Sequence, residues 1–146
     1  MAVDGQNWDS LYPNATGFTT NPEADRTAAV VQTRPLDQGD VETFRQGIFS
    51  VAVNGRVWQE TFLNVWDPCI APSGECVAAT VRLSPSDYTI AVDGKCWPGR
   101  YTMAWEPEFI PGTGAVIAPV RKGSLWGLAR DDELIWKPGF TQVWHQ

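Results

Sequence analysis

The sequence predicts an all-β protein, and two observations carry this prediction. The first is a segment of alternating apolar and polar residues around an Asn-Gly or Asp-Gly pair, present at Phe49–Trp58 and again at Tyr88–Trp97. Asn-Gly and Asp-Gly supply the positive φ angles that a two-residue hairpin turn requires. The second observation is the constant offset of 39 residues between the two segments, from Trp58 to Trp97. A fixed period of this length is typical of repeated structural units.

The same offset relates three aromatic triplets, each with aromatic residues at positions i, i+4 and i+8. Their members are Trp58, Phe62 and Trp66; Trp97, Tyr101 and Trp105; and Trp136, Phe140 and Trp144. This spacing also fits one face of a helix. However, Pro98-Gly99 and Pro138-Gly139 interrupt two copies, and a proline inside a helix costs about 3 kcal/mol. We therefore predict a strand, a turn and a strand, with the nine aromatic residues forming a structural core.

Residues 49–146 are predicted to form one β domain of internal repeats. The units are 49–87, 88–126 and a partial unit 127–146, and each complete unit has about four short strands, the last at 76–83 and 115–121. The third copy keeps a hairpin, whose turn is Asp131-Asp132-Glu133. In period and strand count these units resemble β-trefoil and β-prism domains, and the resemblance implies pseudo-threefold symmetry. A β-sandwich of the same strands is the alternative.

Residues 1–48 do not show the repeat and are predicted to form an extended N-terminal arm. They are rich in polar residues, glycine and proline, so they bury too little apolar surface to fold alone. The apolar residues of this arm, together with Trp126, which falls outside the repeat register, are predicted to form interfaces: Trp8, Tyr12, Phe18, Val30, Val31 and Trp126. The third unit lacks its last strand, and 27–34 is predicted to pair near the Trp144 strand, within the chain or in a neighbour.

Charge and hydropathy exclude several classes of partner. The net charge of -6 argues against binding to nucleic acid or to an anionic membrane surface, since both need a cationic face. No apolar run approaches the roughly 20 residues of a membrane span. The first residues also lack the basic and apolar regions of a secretory signal, so we expect the chain to be made and used without export by the general secretory route.

The residue types needed for the common catalytic and metal sites are missing or isolated. The sequence has no phosphate-binding loop, no His-Glu-x-x-His motif and no nucleophile elbow. A zinc site needs four ligands and His145 is the only histidine, so we do not predict a zinc site. The acidic residues 131–133 are interpreted as a solvated turn. Cys69 and Cys76 flank a short loop, where either a disulfide or two free thiols is consistent with the spacing. We expect no enzyme activity and no cofactor.

The function predicted from these features is that of a structural or assembly protein. An ordered polar arm, an acidic surface and an unfinished sheet are similar to those of accessory proteins of viral particles, such as capsid decoration (cement) or tail proteins of tailed phages. This resemblance implies synthesis in a host cytoplasm, a place in the virion, and contacts with copies of the chain and with a capsid. Two alternatives remain: a lectin-like carbohydrate-binding module that uses the repeated tryptophans, and a phage tail or receptor-binding component.

Overall fold

The chain folds into antiparallel β-sheets, which confirms the predicted all-β class. The computed structural model describes residues 2–3 and 6–142, so Trp144 and His145 lie outside the described residues. A short hairpin of β1 (Ala2–Val3) and β2 (Gln6–Asn7) comes first. Three larger sheets follow along the chain.

Sheet 1 has four strands in sequence order. They are β3 (Asn14–Thr20), β4 (Thr27–Gln32), β5 (Phe49–Val53) and β6 (Arg56–Val57). The short helix α1 (Val41–Arg45) lies between β4 and β5 in the sequence. The side chain of Asp40 caps this helix by accepting a 2.9 Å hydrogen bond from the backbone N–H of Thr43, as helix N-cap residues commonly do.

This sheet corrects two predictions about the N-terminal part of the chain. The boundary predicted after residue 48 falls inside sheet 1, because β3 and β4 belong to it. The predicted pairing of 27–34 near the Trp144 strand is also wrong, because β4 is bonded to β3 on one edge and to β5 on the other. Val30 and Val31, predicted to form an interface, are buried within this sheet.

Sheets 2 and 3 follow without a long insertion. Sheet 2 contains β7 (Asn64–Ile70), β8 (Val77–Ser84), β9 (Asp87–Val92) and β10 (Lys95–Cys96), in the order β10-β9-β8-β7. Sheet 3 contains β11 (Met103–Ala104), β12 (Glu108–Phe109), β13 (Val116–Lys122), β14 (Leu125–Arg130) and β15 (Glu133–Phe140). Both β11 and β12 pair with β13, and β15 is an edge strand.

The same hydrogen bond holds the hairpin turn in all three sheets. A turn side chain accepts from the backbone N–H that begins or precedes the central strand: Asn54 from Thr27 (2.7 Å), Asp93 from Val77 (2.9 Å) and Asp131 from Val116 (2.8 Å). In the two predicted turns of the Asn-Gly kind, Asn54 and Gly55 have φ angles of 47° and 80°, and Asp93 and Gly94 have 48° and 82°. These are the positive values that the sequence predicts.

The buried residues form two clusters, and sheet 2 contributes to both. The first cluster joins sheet 1 to sheet 2 and includes Val51 and Val81. The second joins sheet 2 to sheet 3 and includes Ile90 and Val120. Successive residues of β8 alternate between them, because neighbouring side chains of a strand point to opposite faces. Within the described residues, the core is therefore a row of three sheets rather than the predicted threefold ring.

Trp126 occupies a repeated position that the constant offset of 39 residues misses. Across the central ladder it pairs with Arg121, as Tyr88 pairs with Arg82. The third copy is one residue shorter here, since Tyr88 to Trp126 is 126 − 88 = 38 positions. Trp126 is buried, so its predicted role as an interface residue is wrong for the chain as it folds here.

Candidate functional site

The segment that precedes each sheet packs against the hairpin turn of that sheet. Before sheet 1, the hydroxyl of Tyr12 donates a 2.8 Å hydrogen bond to the carbonyl oxygen of Gly55. A Cβ atom at Gly55, in the turn of sheet 1, would lie only 3.0 Å from Trp8. In sheet 2 the turn residue is Gly94, and a Cβ atom there would lie 3.4 Å from Trp58, which precedes that sheet. Trp8 and Tyr12 thus contact the body of the same chain, whereas Phe18 is exposed.

Before sheet 3, a turn carboxylate makes the equivalent contact. Asp132 accepts one hydrogen bond from the backbone N–H of Gly99 and one from the hydroxyl of Tyr101, each 2.8 Å long. Burial raises the pKa of the Tyr101 hydroxyl above its usual value, and the hydrogen bond to Asp132 and its negative charge act in the same direction. The acidic turn 131–133 was predicted to be solvated, but through Asp132 it forms hydrogen bonds with the segment that precedes sheet 3.

Replacing Asp132 with asparagine is expected to lower the free energy of unfolding by about 1–3 kcal/mol, because an amide cannot reproduce both charged acceptor bonds. The measurement is urea unfolding at neutral pH. Tyr101→Phe is the matched control because it removes one of the two bonds. The double variant should lose less free energy of unfolding than the sum of the two single losses, because both residues belong to one contact. Strictly additive losses would show that Asp132 and Tyr101 do not interact.

A cleft of about 210 Å³ opens between sheets 2 and 3. Its lining is mainly aromatic and aliphatic, with one carboxylate and one buried hydroxyl: Trp66, Asp67, Thr80, Tyr88, Met103, Ala104 and Trp105. The lining joins residues of β7, β8 and β9 to residues of β11 and the position after it. Concave sites of apolar and aromatic residues with a few polar groups are where proteins usually bind small ligands.

Each of the two tryptophans of the cleft is followed by a residue with a positive φ angle. The β7–β8 ladder is disrupted between Trp66 and Cys69, and Asp67, within this bulge, has a φ of 50°. Glu106 follows Trp105 with a φ of 27°. Bulges commonly redirect a side chain. Trp66 is 38% exposed and Trp105 is 41% exposed, so the prediction that these two residues belong to the core is wrong.

Each of these exposed rings rests on a second aromatic ring. Trp66 stacks on Tyr88 with 5.9 Å between ring centroids and an interplanar angle of 19°. Trp105 lies 4.5 Å from Trp126 in a tilted arrangement. The guanidinium of Arg82 lies 5.4 Å from the centroid of the Tyr88 ring, within the range of a cation–π contact. These contacts support each indole from one side.

Two polar groups complete the cleft. Thr80 on β8 lies opposite Trp66 in the ladder. Its side chain is 2% exposed, and its hydroxyl has no hydrogen-bond partner among the described residues. At the mouth, the carboxylate of Asp67 is accessible. Partial desolvation raises its pKa above the usual value, the negative charge of Glu106 adds to this, and a backbone hydrogen bond from Glu106 opposes it.

A second exposed feature lies on the edge of sheet 3. We call Ile135, Trp136 and Phe140 the β15 ridge; they are 48%, 58% and 50% exposed. The rings of Trp136 and Phe140 are 6.2 Å apart. Trp136 and Phe140 were also predicted to be core residues, and this is wrong because β15 continues to Phe140 as an edge strand with no further sheet beyond it in the described part of the chain.

The other aromatic residues of the triplets that the structure describes lie inside the protein. Phe62, Trp97 and Tyr101 are buried, and Trp58 packs partly buried against the first cluster. The sequence analysis missed Thr80 and Tyr88 as residues of a site. One signal for Thr80 was available, because it is a polar residue in the otherwise apolar run 77–81.

For Cys69 and Cys76 the spacing left a disulfide and two free thiols as alternatives, and the structure has the free thiols. Cys69, Cys76 and Cys96 are all free thiols. In the β7–β8 hairpin Cys69 lies opposite Ala78, while Cys76 binds the backbone of Ala71, so the two cysteines are two register positions apart. Burial raises the pKa of the Cys69 thiol to about 12. This thiol is therefore protonated at neutral pH and is a poor nucleophile.

The described residues contain no group of three or more His, Cys, Asp or Glu side chains placed to hold a metal ion. The only helix among them, α1, is far too short to span a membrane. In comparisons with known proteins, no family, no curated protein and no solved structure was found to match the chain.

Proposed function

We propose that this protein is a non-enzymatic assembly protein whose β15 ridge binds a second copy of the same chain. The observation that carries this proposal is the exposure of Trp136 and Phe140 at a sheet edge. Large apolar side chains gathered at an edge strand are a characteristic of interaction sites, since edge strands also offer unpaired backbone groups.

The sequence repeat supports a second copy as the occupant. Phe62 and Tyr101 stand at the same place in their triplets as Phe140 and are buried where a further sheet follows them in the chain. Phe140 has the same pattern but is half exposed, and no sheet follows it among the described residues. The chain therefore presents, on the last of its described strands, a segment of the kind that its own sheets bury elsewhere.

We further propose that the larger assembly is a virus particle, in which the protein serves as a capsid decoration (cement) or tail component. The internal 39-residue repeat, with its pseudo-equivalent sheets, supports this role by supplying a rigid β body. Attachment to neighbouring subunits stabilises a particle by mass action, because each bound copy favours the assembled state.

The test is the concentration dependence of mass in light scattering and sedimentation. The wild-type chain is expected to self-associate, and the double variant Trp136→Ser with Phe140→Ser to associate at least about tenfold more weakly, since aromatic anchors dominate interface energies. The matched control is Leu11→Ser with Phe18→Ser, because these apolar residues are exposed outside the ridge; it should associate like the wild type. A monomeric wild type, or a ridge variant that associates normally, would contradict the proposal.

A further inference from the structure

We infer that the cleft between sheets 2 and 3 is a binding site for a small neutral saccharide. The site is separate from the β15 ridge, and it does not depend on self-association. Trp66 and Trp105 flank it, Thr80 lies buried in its lining, and Asp67 stands at its mouth.

The aromatic groups match the apolar part of such a ligand. One face of many pyranose rings presents a patch of C–H bonds, which packs against the face of an indole ring. Trp66 and Trp105 are each supported from one side by another aromatic ring, Tyr88 and Trp126, and each remains more than a third exposed. A ring held by its neighbour loses little side-chain freedom when a ligand stacks on it, and this lowers the entropic cost of binding.

The polar groups match the hydroxyl-bearing part. Buried hydroxyls in folded proteins almost always have a hydrogen-bond partner, and each exception calls for an explanation. The Thr80 hydroxyl has none among the described residues, although the side chain is 2% exposed and lines the cleft. A ligand hydroxyl seated there supplies the missing partner. The Asp67 carboxylate accepts hydrogen bonds from further hydroxyls at the mouth of the cleft.

Charge and size narrow the ligand class. The carboxylate in the lining and the net charge of -6 disfavour phosphorylated or carboxylated ligands. The cleft volume of about 210 Å³ is below the roughly 300–1,000 Å³ typical of sites for drug-sized molecules. The site therefore suits a single sugar ring or the end of a glycan, and not a long chain enclosed along its length.

The experiment is a titration of the full chain with sugars, monitored by calorimetry and by tryptophan fluorescence. The sugars are glucose, galactose, mannose, rhamnose, N-acetylglucosamine, lactose and cellobiose. At least one sugar is expected to bind saturably below about 10 mM. Trp66→Ala and Trp105→Ala should each weaken that binding by about tenfold or more. Phe18→Ala is the matched control, because it removes an exposed aromatic ring outside both the cleft and the β15 ridge, and it should bind like the wild type.

The variant Thr80→Val distinguishes an effect on sugar binding from an effect on the stability of the fold. Valine has nearly the same shape, and it removes a buried hydroxyl that lacks a partner, so the melting temperature should stay the same or rise. Affinity for the sugar should nevertheless fall about threefold to tenfold, the value of one hydrogen bond. The inference is overturned if none of the sugars binds, or if both tryptophan variants bind the sugars as the wild type does. None of these results changes the mass measurements that test the β15 ridge.

Discussion

Replacing Gly47 with alanine is expected to lower the free energy of unfolding by about 2–5 kcal/mol. Gly47 is buried and has a φ of 78°, a conformation that costs an L-residue about 1–2 kcal/mol. In addition, the new Cβ would lie 2.9 Å from the carbonyl carbon of Phe62, and overpacking against fixed backbone costs about 1–3 kcal/mol. Phe62 bonds to Phe49 through both backbone groups, so the displacement would disturb the connection between sheets 1 and 2.

The matched control is Gly39→Ala. Gly39 has a similar φ of 86° but no atom within 4 Å of the position of a new Cβ, so alanine there should show only the conformational cost. Thermal and urea unfolding of the two variants measure the difference. Equal losses of stability would show that the close approach of residue 47 to Phe62 is unimportant.

Ile90→Ala is expected to lower the free energy of unfolding by about 2–5 kcal/mol. Ile90 is fully buried in the second cluster, and truncating a buried isoleucine loses its transfer free energy and leaves a cavity. Denaturant unfolding gives the value directly, provided that the slope with denaturant is unchanged.

The control for this prediction uses the same chemical change at the surface. Ile135 on β15 is 48% exposed, and alanine there should change the stability of the monomer by no more than about 0.5 kcal/mol. Because Ile135 belongs to the β15 ridge, the measurement should be made at a concentration where the chain is monomeric. If both variants lose the same stability, the assignment of Ile90 to the joint between sheets 2 and 3 is wrong.

The local features of the fold were predictable from the sequence because short-range chemistry determines them. The turns at Asn54-Gly55 and Asp93-Gly94 need positive φ angles, and the structure has them there. The strand predicted at 76–83 corresponds to β8, and the one at 115–121 corresponds to β13. Both follow from runs of apolar residues between turn signals.

The frame of the repeat was misjudged because the first copy contains an insertion. Thr27 matches Val77 at an offset of 50, whereas Phe49 matches Tyr88 at an offset of 39, so 50 − 39 = 11 extra residues separate β4 from β5. The helix α1 lies in this insertion. A surface insertion adds little to the entropy cost of closing a loop, so the fold tolerates it. The insertion nevertheless breaks the constant spacing by which the repeat was recognised.

The candidate site was only partly predictable. The tryptophans of the cleft were recognised as repeated residues, but the cleft that they line is formed where two sheets meet. The pairing of Trp66 with Tyr88 joins residues of different strands. Such contacts join residues that are far apart in the sequence, and a local pattern of residue types does not describe them.

A row of sheets has two ends, and this sets it apart from a closed ring. In a ring, every unit must meet both neighbours at a fixed angle, so gaining or losing a unit disrupts the whole. In a row, each unit contacts only the units next to it. Duplication of a terminal unit would therefore lengthen such a protein without altering the contacts between the units already present.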